Sequence, residues 1–223
     1  MLRYDFKKAG DCFDSVFICI EDFLTKKEQF KLLYHFNAMD DFQPCINFKG
    51  KSNRSQKWYQ EERKYFCSTW KHHYNRWESF EYDDVISKIQ RKVQAKANVL
   101  RLPTPNGRVD FNSCLVNKYT SGSDYICSHR DSKDSFGEYP VIVGVSVGAT
   151  RKIKFKKVLY NPDNPKSVKT DKIDPVRFSF ELKSGSMFIM AGASQKYFVH
   201  EIPKTDDTKP AVRYSLTFRQ YIN

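Results

Sequence analysis

The chain has 223 residues, a length that fits one domain with a sizeable core. Its formal net charge is +12. This basic excess favours a polyanionic partner, nucleic acid before an anionic membrane surface, and the 18 Phe, 13 Tyr and 3 Trp supply rings that fill cores or stack on flat ligands. No apolar run approaches the roughly 20 residues of a membrane-spanning helix, and six scattered cysteines without a C-x-x-C pair argue against a zinc site or a disulfide scaffold.

The compartment follows from the same features. The first residues lack the apolar region of a secretory signal, and isolated cysteines are typical of reduced thiols. We therefore expect an intracellular protein, with nucleus and cytoplasm left unresolved.

The N-terminal half predicts a strand followed by helices. A capping box of Thr25 and Glu28 should begin the first helix, in which Phe30, Leu33 and Tyr34 fall on one face. An irregular stretch that is basic and aromatic follows, over residues 41–81. The next helix is amphipathic, with these residues facing inward: Val85, Ile86, Ile89, Val93 and Ala97.

The C-terminal half, from about residue 108, predicts about eight short strands separated by turn residues. This pattern is typical of a sandwich, jelly roll or barrel, with the preceding helices packed on one face of a sheet. We expect a single α+β domain over residues 1–223, in which residues 1–107 form a helical framework and residues 108–223 a β-rich catalytic core.

Three residues of this half are candidate metal ligands. His129 and Asp131 form an H-x-D pair after a turn, and His200 ends a predicted strand. Taken singly, each has a plainer interpretation, a surface histidine beside a turn aspartate for the pair and a satisfied core histidine for His200. Together, two histidines and one carboxylate match the facial triad of non-haem Fe(II) oxygenases, which leaves positions free for cosubstrate and oxygen.

Two arginines complete the pattern. Arg213 and Arg219 are six residues apart, so they share one face of a strand with Ser215 and Thr217. Either that face is solvated, or the arginines bind an anion. A dicarboxylic keto acid on the iron would need such cationic anchors, and two further residues of one strand face could add neutral hydrogen bonds: Asn117 and Tyr119.

The ordered set "NKY…HRD…LKSGSMFIM…VHEIP…RYSLTFR", residues 117–219, resembles the AlkB family of Fe(II)/2-oxoglutarate-dependent dioxygenases. The run R-x-S-L-T-F-R is its most specific element. The resemblance implies a double-stranded β-helix, or jelly roll, with helices against one sheet. It implies Fe(II), 2-oxoglutarate and O2 as cofactor and cosubstrates. It implies that His129, Asp131 and His200 bind iron and are catalytic, and that 2-oxoglutarate is bound by Asn117, Tyr119, Arg213, Ser215 and Arg219.

The resemblance also implies a reaction. The family couples decarboxylation of 2-oxoglutarate to hydroxylation of an N-methyl carbon, which then leaves as formaldehyde and frees the base. Nucleic-acid members bring a flipped or single-stranded base to the iron. We therefore expect an oxidative demethylase of N-alkylated bases in DNA or RNA, with single-stranded or locally opened nucleic acid as partner, no membrane and a monomeric chain.

Residues 48–82 interleave basic and aromatic side chains, as expected of a lid that grips a single strand. The alternative is a set of core rings with a solvated charged face. With the loop after the H-x-D pair, the stretch gives these candidate substrate-binding residues: Trp58, Tyr59, Arg63, Tyr65, Phe66, Trp70, Lys133 and Asp134.

One position departs from the family pattern. Many repair members carry an acidic base-reading residue four positions after the first iron histidine, and here that position is Lys133. Two alternatives therefore stay open: a 2-oxoglutarate-dependent protein hydroxylase or lysine demethylase, and a non-catalytic nucleic-acid-binding module of the same fold. Which base is read, and whether in DNA or RNA, also stays open.

Overall fold

The structure is a computed structural model. It describes the chain apart from several short segments and, within strands, a few side chains. The segments left out are residues 8–9, 48–49, 61–63, 66–76, 165–168, 207–210 and 223, and the side chains left out are those of residues 46–47 and 50–53.

The described residues form strands and helices in the following order. The strands are β1 (Leu2–Phe6), β2 (Ser15–Ile20), β3 (Gln43–Asn47), β4 (Gly50–Gln60), β5 (Ser113–Tyr119), β6 (Ile126–His129), β7 (Ile142–Gly148), β8 (Arg151–Lys157), β9 (Arg177–Leu182), β10 (Met187–Gly192), β11 (Phe198–Ile202) and β12 (Arg213–Arg219). The helices are α1 (Lys26–Asn37), α2 (Asp84–Val99), α3 (Lys133–Phe136) and α4 (Ser194–Tyr197).

The strands make two sheets. The larger has the order β1-β2-β10-β7-β12-β5-β4-β3, and the smaller has the order β6-β11-β8-β9. Side chains of α1 and α2 pack with one face of the larger sheet into the main hydrophobic core. This arrangement confirms the predicted jelly roll with N-terminal helices on one sheet. All eight strands predicted in the C-terminal half are present, as β5 to β12.

Alternation along β12 separates the core from the site. Tyr214, Leu216 and Phe218 point into the core under the helices. The arginines at the two ends of the strand have the opposite parity, so they lie on the face between the sheets. β12 pairs with β5 on one side and with β7 on the other. Polar side chains of these two neighbouring strands therefore lie next to those of β12 on the face between the sheets.

The first long helix begins as predicted. In α1 the Thr25 hydroxyl accepts a hydrogen bond from the Glu28 backbone N–H, and the Glu28 carboxylate accepts one from the Thr25 backbone N–H. Four of the five predicted inward positions of α2 are confirmed, since Ile86, Ile89, Val93 and Ala97 are buried. The fifth, Val85, is partly buried against the same core.

Two parts of the N-terminal half differ from prediction. The face of α1 that carries Phe30 and Tyr34 points outward, with these rings 71% and 72% exposed, while Leu32 and Phe36 are buried. The helix has one aromatic face with Phe30 and Tyr34 and another with Phe36. The face with Phe36 is buried, because it packs against β12 and β7. The stretch predicted to be irregular contains β3 and β4, because pairing with β5 imposes a strand that side-chain periodicity does not show.

Gly144 on β7 makes room for an aromatic ring. A Cβ atom at this position would overlap the ring of Phe188 on the paired strand β10. We expect Gly144→Ala to lower the free energy of unfolding by about 1–3 kcal/mol through overpacking. Urea denaturation measures this loss. The double variant Gly144→Ala/Phe188→Leu should recover part of it, and equal losses in the single and double variants would contradict this account.

Candidate active site

Two strands bring the histidines together. His200 of β11 pairs directly with His129 at the end of β6, and their ring centroids are 4.2 Å apart. Asp131 follows two residues later, with Oδ1 3.7 Å from His129 Nε2. One ligand atom from each of the three residues lies within 4.8 Å of the others. Residues as far as 71 positions apart in the sequence (from 129 to 200) thus form one group that could hold a metal ion.

The Asp131 carboxylate is held between opposite charges. Its Oδ2 accepts an ion-paired hydrogen bond from Arg219 Nε, and its side chain is 6% exposed. Burial alone would raise the pKa of Asp131, but Arg219 and the two histidines outweigh burial and lower that pKa to about 2. Asp131 is therefore an anion at neutral pH, the form that a metal requires.

The histidines are in the ligating state as well. Burial lowers the pKa of both rings, that of His200 to about 3, so both are neutral at pH 7. His129 Nδ1 lies 2.8 Å from the Cys127 carbonyl oxygen. Since a carbonyl only accepts, Nδ1 carries the proton and Nε2 keeps a lone pair for a metal.

At the other end of the strand that carries Arg219, Arg213 is fully buried and only partly satisfied. Its Nη2 donates to Ser146 Oγ at 2.9 Å, and its guanidinium lies 4.9 Å from the ring centroid of Tyr119. Nε and Nη1 find no hydrogen-bond partner among the residues that the structure describes. Burial lowers the pKa of Arg213, which remains far above neutrality as for any arginine. A buried cation with open donors fits a carboxylate ligand.

Three other predicted cosubstrate residues lie next to Arg213 on β5 and β12. Asn117 and Tyr119 face Ser215 and Arg213 across the β5–β12 ladder, and the side chains of all four residues are at least nine-tenths buried. Gln56 of β4 donates from Nε2 to Asn117 Oδ1 at 3.2 Å. This bond turns the Asn117 amide nitrogen away from β4, so that it is available to a ligand.

Sequence reasoning missed Ser146 and Gln56. Ser146 sits opposite Ser215 in the β7–β12 ladder, and Gln56 sits opposite Asn117 in the β4–β5 ladder. The parity of β7 places Ser146 on the site-facing row, a signal available only once the pairing is known. No comparable signal existed for Gln56, because β4 was not predicted to be a strand.

The residues present fit the implied groups. Two neutral imidazoles and one carboxylate suit Fe(II). The Nε and Nη1 atoms of Arg213 point in different directions, and each can donate a charge-assisted hydrogen bond to a carboxylate oxygen. When bound, the iron and 2-oxoglutarate supply the activation of oxygen, and the chain's own residues orient the cosubstrate and hold the ligands in their charge states.

The candidate substrate-binding residues are placed less consistently. Trp58 and Tyr59 are 1% and 2% exposed, so the prediction that they stack on bases is wrong for the chain in this conformation. Trp58 packs with Phe136 and Tyr221, and Tyr59 faces the main core on the other side of the sheet. Tyr65 is partly buried and Lys133 and Asp134 are exposed beside the site. The remaining three lie outside the described residues: Arg63, Phe66 and Trp70.

A buried carboxylate anchors α4, the helix just before the strand of His200. Asp11 accepts hydrogen bonds from the hydroxyls of Tyr139 and Tyr197 and from Lys196 Nζ, at 2.7, 2.8 and 3.3 Å. Burial would raise the pKa of Asp11, but these donors lower it to about 2 from 3.8. The charged form is therefore favoured in the folded protein.

This cluster predicts an acid-sensitive stability. The contribution of Asp11 is fully present above pH 3.8 and is lost as pH falls through 2, a difference of about 2 kcal/mol. Asp11→Asn should remove this contribution at neutral pH and flatten the stability profile between pH 4 and 2. Urea unfolding across that range measures both effects, with the exposed Asp163→Asn as control. A profile as steep as that of the wild type in Asp11→Asn would contradict the assignment.

Comparison with known proteins agrees with this site. The family model of the 2OG-Fe(II) oxygenase superfamily matches residues 16–219. DNA oxidative demethylase ALKBH2 of Arabidopsis thaliana is 32% identical over 120 residues, covering 49% of this chain and 37% of that protein. Alpha-ketoglutarate-dependent dioxygenase alkB homolog 3 of Homo sapiens is 34% identical over 109 residues, covering 49% and 36%. The chain thus spans little more than a third of the length of these relatives.

A solved structure titled OsALKBH1 superposes with a TM-score of 0.61 at 16% identity, covering 92% of this chain and 97% of that one, which shows a shared fold. The chain belongs to the 2OG-Fe(II) oxygenase superfamily, whose cofactors are Fe(II) and 2-oxoglutarate with O2 as oxidant. The two relatives named above carry AlkB-type names, and each is similar to about half of this chain. Over the residues that the structure describes, no helix combines the length and apolarity needed to cross a bilayer.

Proposed function

We propose that the chain is an Fe(II)/2-oxoglutarate-dependent oxidative demethylase of N-alkylated bases in nucleic acid. The observation that carries the proposal is the convergence of His129, Asp131 and His200, with Arg219 ion-paired to Asp131 and the buried Arg213 on the same strand as Arg219. Relatives of the chain are named for the same activity, one as a DNA oxidative demethylase. The net charge of +12 favours a polyanionic substrate.

Each residue has a role in the proposed reaction. His129, Asp131 and His200 hold the iron, and Arg219 keeps Asp131 ionised and turned toward it. Five residues bind the cosubstrate, with Arg213 gripping a carboxylate and the others adding hydrogen bonds: Asn117, Tyr119, Arg213, Ser215 and Arg219. The substrate's N-methyl carbon is hydroxylated while 2-oxoglutarate becomes succinate and carbon dioxide. The hydroxymethyl product then breaks at its C–N bond, releasing formaldehyde and the free base.

Lys133 and Asp134 are proposed to contact the nucleic acid. Both side chains are exposed at the start of α3, two and three residues after Asp131. A lysine there offers a charge to a phosphate, and Asp134 can accept a hydrogen bond from a base edge. Tyr65 is proposed as a further contact, together with three residues outside the described part of the chain: Arg63, Phe66 and Trp70.

Formaldehyde release tests the proposal. We expect release from oligonucleotides carrying 1-methyladenine, 3-methylcytosine or N6-methyladenine when Fe(II), 2-oxoglutarate and O2 are present, in step with succinate formation. Single strands should react faster than the same sequences in duplex, because a base outside a stack needs no unstacking energy. Failure on all three bases, in both DNA and RNA, would overturn the proposal.

A protein substrate is the second candidate, and the lysine at position 133 favours it. An acidic residue reads the base at that place in many family members, and Lys133 cannot accept a hydrogen bond. Binding of single-stranded DNA against salt separates the candidates. Several phosphate contacts give a steep loss of affinity with salt, of slope about −0.7 per contact. No binding at low salt, with succinate formed on methyl-lysine or other peptides, would select the protein substrate.

A further inference from the structure

The segment that carries Asp131 lies outside the sheets. Strand β6 ends at His129, and residues 130–132 belong to no strand or helix. Sheet hydrogen bonds therefore do not fix the backbone that aims the carboxylate. The side chain of Asp131 must nonetheless present Oδ2 to Arg219 and Oδ1 to the histidines, an orientation set by the position of its own Cα.

One side chain from α4 supplies the missing backbone partner. Gln195 Oε1 accepts a hydrogen bond from the Asp131 backbone N–H at 2.9 Å. The other end of the amide, Nε2, donates to Met190 Sδ at 3.5 Å. Gln195 is 8% exposed, so a flipped amide would place a donor against a donor in a buried site. The amide is thereby held in the orientation that accepts from Asp131.

A second contact ties the same two segments together. Arg130 Nη1 donates to the Lys196 carbonyl oxygen at 2.8 Å. On its other side, α4 is fixed through Lys196 and Tyr197 to the carboxylate of Asp11. Since β11 begins directly after α4, this short helix is connected to His200 through the chain and to Asp131 through Gln195.

We propose that Gln195 is a positioning residue of the metal centre, which fixes Asp131 relative to His200 through its hydrogen bond to the Asp131 backbone. This inference rests on the proposed metal role of the three ligands, but not on the substrate. Partners that orient metal ligands change metal affinity by about 10–100-fold when removed. Gln195 touches neither metal nor cosubstrate, so its effect should appear in the geometry and affinity of the site.

The test measures Co(II) binding to the metal-free protein, followed by the visible absorption of the bound ion. Gln195→Met keeps a side chain of similar size but removes the strong acceptor, and should weaken Co(II) binding about 10-fold and change the absorption band. Gln195→Glu keeps an acceptor oxygen and should restore affinity to near that of the wild type. Ser194→Ala is the matched control, because the buried Ser194 hydroxyl in the same helix makes no hydrogen bond to any residue that the structure describes.

Wild-type Co(II) affinity and spectrum in Gln195→Met would overturn the proposal. So would equal weakening in Gln195→Met and Ser194→Ala, which indicates general damage to α4, or equal weakening in Gln195→Met and Gln195→Glu. If Gln195→Met fails to fold, Arg130→Met breaks the second contact, and the same loss of affinity is expected. Absence of demethylation with intact Co(II) binding would count against the proposed function alone.

Discussion

Asp131→Asn should reduce turnover by more than about 100-fold. Loss of a residue that only hydrogen-bonds to a metal ligand costs up to about 100-fold, and loss of the ligand itself should cost more. The amide is nearly isosteric, so packing is preserved while the one anionic ligand disappears. The Arg219 guanidinium, 8% exposed, then keeps its charge beside two neutral histidines without a counter-ion. We therefore expect Asp131→Asn to weaken metal binding and to leave the buried charge of Arg219 unpaired.

The measurement for Asp131→Asn is succinate and formaldehyde production at saturating iron, together with Co(II) affinity. Glu181→Gln is the control, because it removes an exposed carboxylate on β9 and should behave as the wild type. Wild-type turnover in Asp131→Asn would show that the H-x-D aspartate is not a ligand. Loss of turnover with unchanged Co(II) affinity would contradict the role assigned here as well.

Arg213→Met should raise the KM for 2-oxoglutarate about 100-fold or more, since each hydrogen bond to a charged group contributes roughly 1.5–3 kcal/mol and two open donors are lost. Arg213→Lys should recover only part of this loss, because an ammonium group keeps the charge without the planar fork. Binding of iron should change little in either variant, as Arg213 does not contact the ligands.

Stability should respond to Arg213→Met in the opposite direction. The arginine is fully buried and two of its nitrogens have no partner in the described part of the chain, so we expect it to destabilise the protein when no anion is bound. The ligand-free variant should therefore unfold at a free energy no lower than that of the wild type, while 2-oxoglutarate no longer stabilises it. Thermal unfolding with and without cosubstrate measures both, with the exposed Arg177→Met as control. A strongly destabilised ligand-free variant with an unchanged KM would refute this assignment.

The sequence predicted the site where the residue types suit a metal or an anion and where strand alternation shows which side chains share a face. Alternation in residues 213–219 predicted which arginines share a face, and the strand β12 has that arrangement. The candidate ligands could be named because two histidines and one aspartate together match the facial triad of non-haem Fe(II) oxygenases. Their convergence could not be derived from spacing, since it depends on β6 pairing with β11 across 70 residues of chain.

What the sequence did not predict depends on tertiary pairing. The strand β4 has no clear alternation, so Trp58 and Tyr59 looked like exposed stacking rings until pairing with β5 buried them on opposite faces of the sheet. The roles of Gln56 and Gln195 could not be predicted from the sequence for a related reason. Each acts through one hydrogen bond to a distant residue, and a glutamine carries no sequence signal for its partner.

Anomalous scattering from crystals soaked with Mn(II) and 2-oxoglutarate tests the central claim most directly. The account predicts one strong peak bonded to the Nε2 atoms of His129 and His200 and to an Asp131 oxygen. It also predicts that a carboxylate of the bound diacid accepts a hydrogen bond from the Arg213 guanidinium. A peak elsewhere, or a diacid that makes no contact with Arg213, would contradict the account.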